Sequence, residues 1–323
     1  MKKIFLFLLF LLSLVLQSFA CDICGCGAGA SFMGVIPQFG RSQFSLRSQY
    51  TRFDHPNTTL NFNGESQVFS DEIYNNEFIY RHFSKKRWSM FVHVPMRIHV
   101  RNESLRTTHL RGLGDINATF NYTLVNTSDS MSHRFKHVLM IGAGVKLATG
   151  KYMQRDETKL MLPARFQLGS GANDFIGQLY YTVRYRRWGL NANAMAVVAG
   201  ENELRYRFGN FYQGAIGLFW KKDFTYKKKK IQQGTQVFDP VNSKTISLLP
   251  AIGFNYEHVE ADKEYDKVKM YTGSTRYFGN VSLDIFMGDF AASVFYQHAL
   301  YTNITFVQPD AVSRIGAAFT YSF

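Results

Sequence analysis

Beyond its first twenty residues the chain has no long apolar run. Even the longest stretch, Ile4–Leu16, falls short of the roughly 20 residues that a membrane-spanning helix needs. A polytopic helical membrane protein is thereby excluded. Proline is scarce, at seven residues, and no low-complexity linker divides the chain, so it reads as one domain. Acidic charge is short as well: 24 Asp and Glu stand against 37 Lys and Arg, for a formal net charge of +13. Cysteine is limited to three residues, all within six positions. Catalytic signatures are missing too. There is no Gly-x-Ser-x-Gly elbow and no His-Glu-x-x-His pair, and neither His93 nor His99 stands in a His-x-Ser pairing. The expectation is a protein that is not an enzyme.

What is there begins at the N-terminus. Lys2 and Lys3 precede the apolar stretch, and Ser18-Phe19-Ala20 supplies a small-x-small cleavage pattern. Residues 1–20 therefore read as a cleaved signal peptide, which sends the remainder to the cell envelope. Aromatic residues reach 16%, with 30 Phe and 18 Tyr, yet the mean hydropathy is only −0.17. That pairing suits a transmembrane β-barrel, whose lipid-facing and lumen-facing residues alternate and cancel in any hydropathy window. Much of the basic excess sits in Lys227–Lys230 and Lys85-Lys86-Arg87, and it reads as solvated turn charge or attraction to anionic lipid headgroups. An exported chain is not expected to bind nucleic acid.

Period-2 alternation carries the fold assignment. In 115–124, Ile116, Ala118, Phe120, Tyr122 and Leu124 share one face, while Asp115, Asn117, Thr119, Asn121 and Thr123 share the other. The pattern recurs from Trp88 to Arg101 and from Phe175 to Tyr185. It predicts an all-β chain forming a single antiparallel transmembrane barrel over 41–323. About twelve strands are expected, near 41–53, 72–83, 87–101, 113–126, 134–149, 173–186, 187–200, 205–221, 244–258, 272–287, 289–301 and 311–323. The connections after the second, fourth, sixth and tenth strands are short. Those after the first, third, fifth, ninth and eleventh are longer and polar. Outer-membrane barrels keep short turns on the periplasmic side, so both termini are expected there, in the outer membrane of a Gram-negative cell. The 222–243 connection breaks this rule: it is long where a short turn is due, and reads as an insertion that could meet a partner.

The last strand sets Ile315, Ala317, Phe319, Tyr321 and Phe323 towards lipid. An amphipathic final strand ending in Phe323 resembles the signal read by outer-membrane barrel assembly machinery, an expected partner alongside membrane lipid. Two further stretches carry a family resemblance. Arg111-Gly112-Leu113-Gly114-Asp115-Ile116, and Gln167-Leu168-Gly169-Ser170-Gly171-Ala172-Asn173-Asp174-Phe175 after Leu162-Pro163, resemble segments of outer-membrane transporter-like barrels grouped as phenol-degradation MetA-pathway barrel proteins. The opening Cys21-Asp22-Ile23-Cys24-Gly25-Cys26 is similar to that of a subset of these. The resemblance implies a transport-type barrel and brings no catalytic or ligand residues.

Two groups of residues could carry chemistry. Cys21, Cys24 and Cys26 form a Cys-x-x-Cys-x-Cys cluster within a Gly-rich segment, 21–40, expected to lie in the periplasm or tuck into the lumen as a plug. Three thiolates could hold copper or zinc. The oxidising compartment equally suits a disulfide, and lipidation of Cys21 is a third reading. On the lumen face, Arg47, Glu77, Arg81, His93, Arg97, His99, Asp115, Lys146, Arg184, Arg276 and Asp284 form a mixed lining. Ion pairs that fill a narrow interior account for most of these residues. Arg97, between His93 and His99, is the leading candidate for a residue facing solute, with Arg184 and Asp115 as further candidates. The function expected is an outer-membrane channel or transporter for small solutes, tied to copper or zinc handling through the cysteines. The alternative is an accessory barrel that docks periplasmic partners.

Overall fold

The computed structural model describes residues 41–323 apart from 55–58, 61–65, 68–69, 85–86, 103–106, 129–133, 156–158, 233–234, 271 and 305–309. The expected signal peptide and the cysteine segment 21–40 lie outside the described residues.

Twelve strands form one closed antiparallel barrel: β1 (Gln43–Asp54), β2 (Ser70–Phe83), β3 (Trp88–Asn102), β4 (Ile116–Asn126), β5 (Phe135–Leu147), β6 (Asp174–Tyr185), β7 (Trp188–Val198), β8 (Phe211–Trp220), β9 (Thr235–Val259), β10 (Ser274–Met287), β11 (Phe290–Ile304) and β12 (Asp310–Ser322). Neighbours in sequence pair with each other, and β1 pairs with β12 from Gln43↔Ser322 to Asp54↔Asp310, which closes the ring. Closure joins the first strand to the last, so backbone groups around the ring of twelve find partners without water.

Alternation decides which face meets what. On β1, Gln43, Ser45, Arg47, Gln49 and Thr51 are buried inward, whereas Phe44 and Leu46 are exposed on the outer surface. On β4, Asn121 is 0% exposed and its neighbour Phe120 is 61% exposed. An outer face of large apolar side chains around a polar interior is the reverse of a soluble fold, and its solvent is lipid. Aromatic rings gather at both rims of the apolar band. Phe44, Tyr80, Tyr321, Phe323, Trp88, Tyr122, Phe135 and Tyr185 ring the end that holds Gln43 and Phe323. Tyr256, Tyr277 and Tyr301 stack across β9–β11 towards the other end, beside a Tyr50–Tyr74 pair. Such girdles mark the two membrane interfaces.

Each expected strand has its counterpart, and the differences are local. The expected 205–221 strand is interrupted. Tyr206–Arg207 leaves the barrel for a small sheet with Lys263–Glu264 and Lys267–Val268, and β8 begins only at Phe211. The 222–243 connection is not a loop. Lys222–Gln232 continues the line of β8 and pairs with the first half of β9, from Lys222↔Leu248 to Gln232↔Thr235, so the hairpin runs on beyond the neighbouring strands. Phe224, Thr225, Ile231, Val237 and Phe238 are strand formers, which is the physical reason that this insertion extends the sheet. The 113–126 strand also breaks. Thr107–Leu113 pairs with Met96–Asn102, β4 takes over opposite Trp88–His93, and the switch falls at Gly114-Asp115.

The two ends of the barrel differ. At the end with Gln43 and Phe323 two hairpins are tight, Arg186-Arg187, with Arg186 at φ 53°, and Gly288-Asp289, with Gly288 at φ 63°, and the long β8–β9 hairpin projects from the same end. At the opposite mouth the connections 148–173, 199–210 and 260–273 are long, and they position the site.

Candidate functional site in the barrel lumen

The 148–173 connection does not reach outwards. It turns back into the mouth and is fastened to the wall by one carboxylate. Asp115, placed inward where the β4 line breaks, accepts Gly150 N at 3.0 Å, Ser170 N at 2.9 Å and Ser170 Oγ at 2.8 Å. Lys146 reaches in from β5, 2.8 Å from Ser170 Oγ, 2.5 Å from Asp174 Oδ2 and 3.4 Å from Asp115 Oδ2. The glycines serve close approach: a Cβ on Gly169 would stand 2.5 Å from the Gly150 carbonyl oxygen. Gln167 ties the loop to itself, accepting Gln154 N and donating to the carbonyls of Gln154 and Leu162.

A single 3-10 turn, Ala164–Phe166, then crosses in front of β3. Arg97 Nη1 donates to Leu168 O at 2.9 Å, and His99 Nδ1 lies 3.2 Å from Phe166 O. Since a carbonyl only accepts, that contact makes Nδ1 the protonated nitrogen of His99. Arg101 holds Asp71 through Nε and Nη2, at 2.7 and 2.9 Å, with its guanidinium 4.6 Å from the centre of the Phe166 ring. Phe166 and Leu168, 1% and 0% exposed, join Leu110 and Leu162 in an apolar cluster under the loop.

A second buried carboxylate fastens the other connections. Asp262 accepts from Arg165, Tyr206 OH and Gly209 N, and so draws 148–173, 199–210 and 260–273 together. Asn202 adds a bond to Ser170 O at 3.1 Å and caps its own turn by accepting Leu204 N and Tyr206 N. Three connections thus form one hydrogen-bonded cap across a single mouth.

Below the cap the lumen is polar and internally paired. Glu77 accepts Arg47 at 2.5 Å and Asn75 at 2.8 Å, with His93 at 3.6 Å. Arg314 makes a two-pronged pair with Glu257, at 2.6 and 2.9 Å, and lies 4.3 Å over the Phe278 ring. Gln178 Nε2 donates to Thr119 Oγ1 and Asn121 Oδ1, at 2.9 and 2.6 Å, and its Oε1 accepts Tyr180 OH at 3.0 Å.

Comparison with family models and with curated proteins finds no match in either. Among solved structures, the COG4313 outer membrane channel from Pseudomonas putida F1 aligns with a TM-score of 0.58 at 12% identity, over 88% of this chain and 96% of that one. The chain has the fold of an outer-membrane β-barrel. The translocator domain of autotransporter NalP from Neisseria meningitidis is more distant. Its TM-score is 0.40 at 11% identity, over 93% of each chain. A Pseudomonas aeruginosa FadL homologue gives 0.37 at 10% identity, over 95% of this chain and 98% of that one. At these identities what carries over is architecture.

Within this outer-membrane barrel, the residues expected to line the lumen do point inward, and most are engaged. Asp115 and Arg97 are 3% and 6% exposed and hold the 148–173 loop, as does His99, so they position the cap. His93 stands beside Glu77. Arg184 is half-buried in register with Lys136 and Gly189, near the tight-turn end and away from the other candidates. Cys21, Cys24 and Cys26 lie outside the described residues. Among the described residues, no group of three or more His, Cys, Asp or Glu is arranged to hold a metal. Sequence reasoning missed Ser170, Arg165, Asn202 and Asp262. The Gly-rich 167–175 stretch signals tight packing for Ser170, whereas Asp262 sits in a polar run with no periodic signal.

Proposed function

We propose that this chain is an outer-membrane channel for small solutes, with its termini on the periplasmic side. The observation that carries this reading is a closed barrel with an apolar outside and a hydrogen-bonding interior, capped at one mouth by its own long connections. A barrel serving only as a scaffold has no need of a fastened cap over a polar interior. The tight turns at the Gln43 and Phe323 end support periplasmic termini, and the amphipathic β12 with Phe323 after it supports delivery by barrel assembly machinery. The test is conductance of the refolded protein in planar bilayers. Discrete, ion-selective steps are expected. Persistent silence at all voltages would turn the reading towards an accessory barrel, which the β8–β9 hairpin projecting past its neighbours favours as a docking element. The link to copper or zinc through Cys21, Cys24 and Cys26 rests on the sequence. It calls for one bound metal per chain, lost in the triple Cys→Ser variant.

A further inference from the structure

We propose that the lumen wall of β9, β10 and β11 carries a binding site for a small uncharged polyhydroxy solute, centred on the side-chain amides of Asn280 and Gln297. The inference deepens the channel reading and rests on it for a route to the site.

Asn280 and Gln297 face each other in register across β10 and β11 on the inward face, 4% and 1% exposed. All four of their amide atoms, Nδ2 and Oδ1 of Asn280 and Nε2 and Oε1 of Gln297, lack a hydrogen-bond partner. Ser282 Oγ on the same face lacks one as well. Buried amides left unmet cost free energy, so this wall holds hydrogen-bonding capacity that the protein itself does not use.

The register shows where a ligand would lie. Beyond Asn280 the same row runs through Gly253 and Gly217 to Asn191, and Asn191 Oδ1 is also without a partner. Two glycines thus separate two sets of amides, and the Asn191 side chain reaches over Gly217 towards the others. Phe278 and Phe295 stand two residues before Asn280 and Gln297 on the same inward faces, and put an aromatic ring on each side.

Chemistry narrows the class of ligand. The row offers two amide NH2 donors and three carbonyl acceptors, with a serine hydroxyl beside them. A carboxylate could only accept and an ammonium only donate, so either would leave half of these groups unmet. A hydroxyl does both. The flanking charges also cancel: Arg276 and Arg314 against Glu257 and Asp284, with Arg314 and Glu257 locked together. Nothing in that balance favours an ion.

The test uses the full-length mature barrel folded in detergent micelles, with D-glucose as the probe. Calorimetric titration reads binding, and planar-bilayer recording reads interruption of the current. Saturable glucose binding and current interruption are expected for the natural chain, both weakened at least tenfold in Asn280→Leu/Gln297→Met. Heat-modifiable migration on gels checks that the variant is folded, and the single exchanges serve if the double variant is not. Equal effects in both proteins would remove the site from these amides. Conductance steps untouched by glucose overturn the site and leave the channel standing. Binding without conductance overturns the channel and leaves the site standing. No saturable binding to the natural chain, as expected if the amides hold only water, overturns the proposal.

Discussion

Gln178 on β6 and Gln297 on β11 are the same residue on different walls of one lumen, and their fates are opposite. Gln178 is committed on both sides of its amide, to Thr119, Asn121 and Tyr180. Gln297, still more deeply buried, meets nothing, although another amide, Asn280, is its neighbour in register. The contrast extends to whole walls. From β3 to β6 the inward groups fasten a loop or one another: Arg97, His99, Asp115, Lys146 and Asp174 all hold or brace the 148–173 connection. From β9 to β12, Arg314 and Glu257 neutralise each other and the amides beside them are left over. One wall builds the cap, and the other remains for a solute.

The strongest way to break this comparison is at the fastening wall. Asp115→Ala leaves Gly150 N and Ser170 N without their acceptor, takes one of two acceptors from Ser170 Oγ and deprives Lys146 of one of its two carboxylates. Removing one partner of such a buried network costs about 3–5 kcal/mol. Chemical denaturation of the refolded barrel should show that loss, and bilayer recording a several-fold rise in conductance as the cap loosens. Unchanged conductance in a folded variant would mean that the 148–173 loop does not restrict the path. Gly169→Ala tests the same joint by crowding. Its Cβ meets the Gly150 carbonyl oxygen, so the loop must lift, at a cost of about 2 kcal/mol. Its conductance should rise in the same direction, but less.

These effects bear on what was readable in advance. Strand positions were legible because the pleat forces alternation, and lipid outside against polar groups inside makes each alternation visible, as at Phe120 and Asn121. The inward direction of Asp115, Arg97 and His99 followed from the same parity. Their roles did not, because a partner 35 to 71 residues away, such as Gly150, Ser170 or Leu168, leaves no periodic trace. The Gly-rich 167–175 segment could be noticed as a motif, but only folding shows that its glycines let two backbones touch. The 222–243 insertion was misjudged for a related reason. Strand formers between lysines carry little contrast between faces, and pairing within a hairpin needs none.

Gln178→Met sharpens the comparison at smaller scale. It deletes three hydrogen bonds within the barrel wall and strands Asn121 Oδ1 and Tyr180 OH, for an expected loss of about 1–2 kcal/mol in denaturation midpoint experiments. It touches neither the cap nor the β10–β11 amides, so the conductance steps should keep their size. A large change in conductance would show that the two walls are mechanically coupled.

The smallest expected effect is the most discriminating. Asn280→Leu removes an amide of similar size that makes no hydrogen bond and places an aliphatic group between Phe278 and Ser282. With no bond lost and an unmet buried dipole removed, stability should stay within about 0.5 kcal/mol of the natural chain or rise slightly. The same exchange should abolish any stabilisation by added D-glucose, measured as a shift of the unfolding midpoint, because a ligand stabilises only the state that binds it. If Asn280→Leu instead costs as much as Gln178→Met, Asn280 has a fixed partner and the two walls are alike. If it costs nothing and the glucose shift persists, the amides are idle. Only stability kept together with ligand response lost fits a wall whose polar groups are held for a solute.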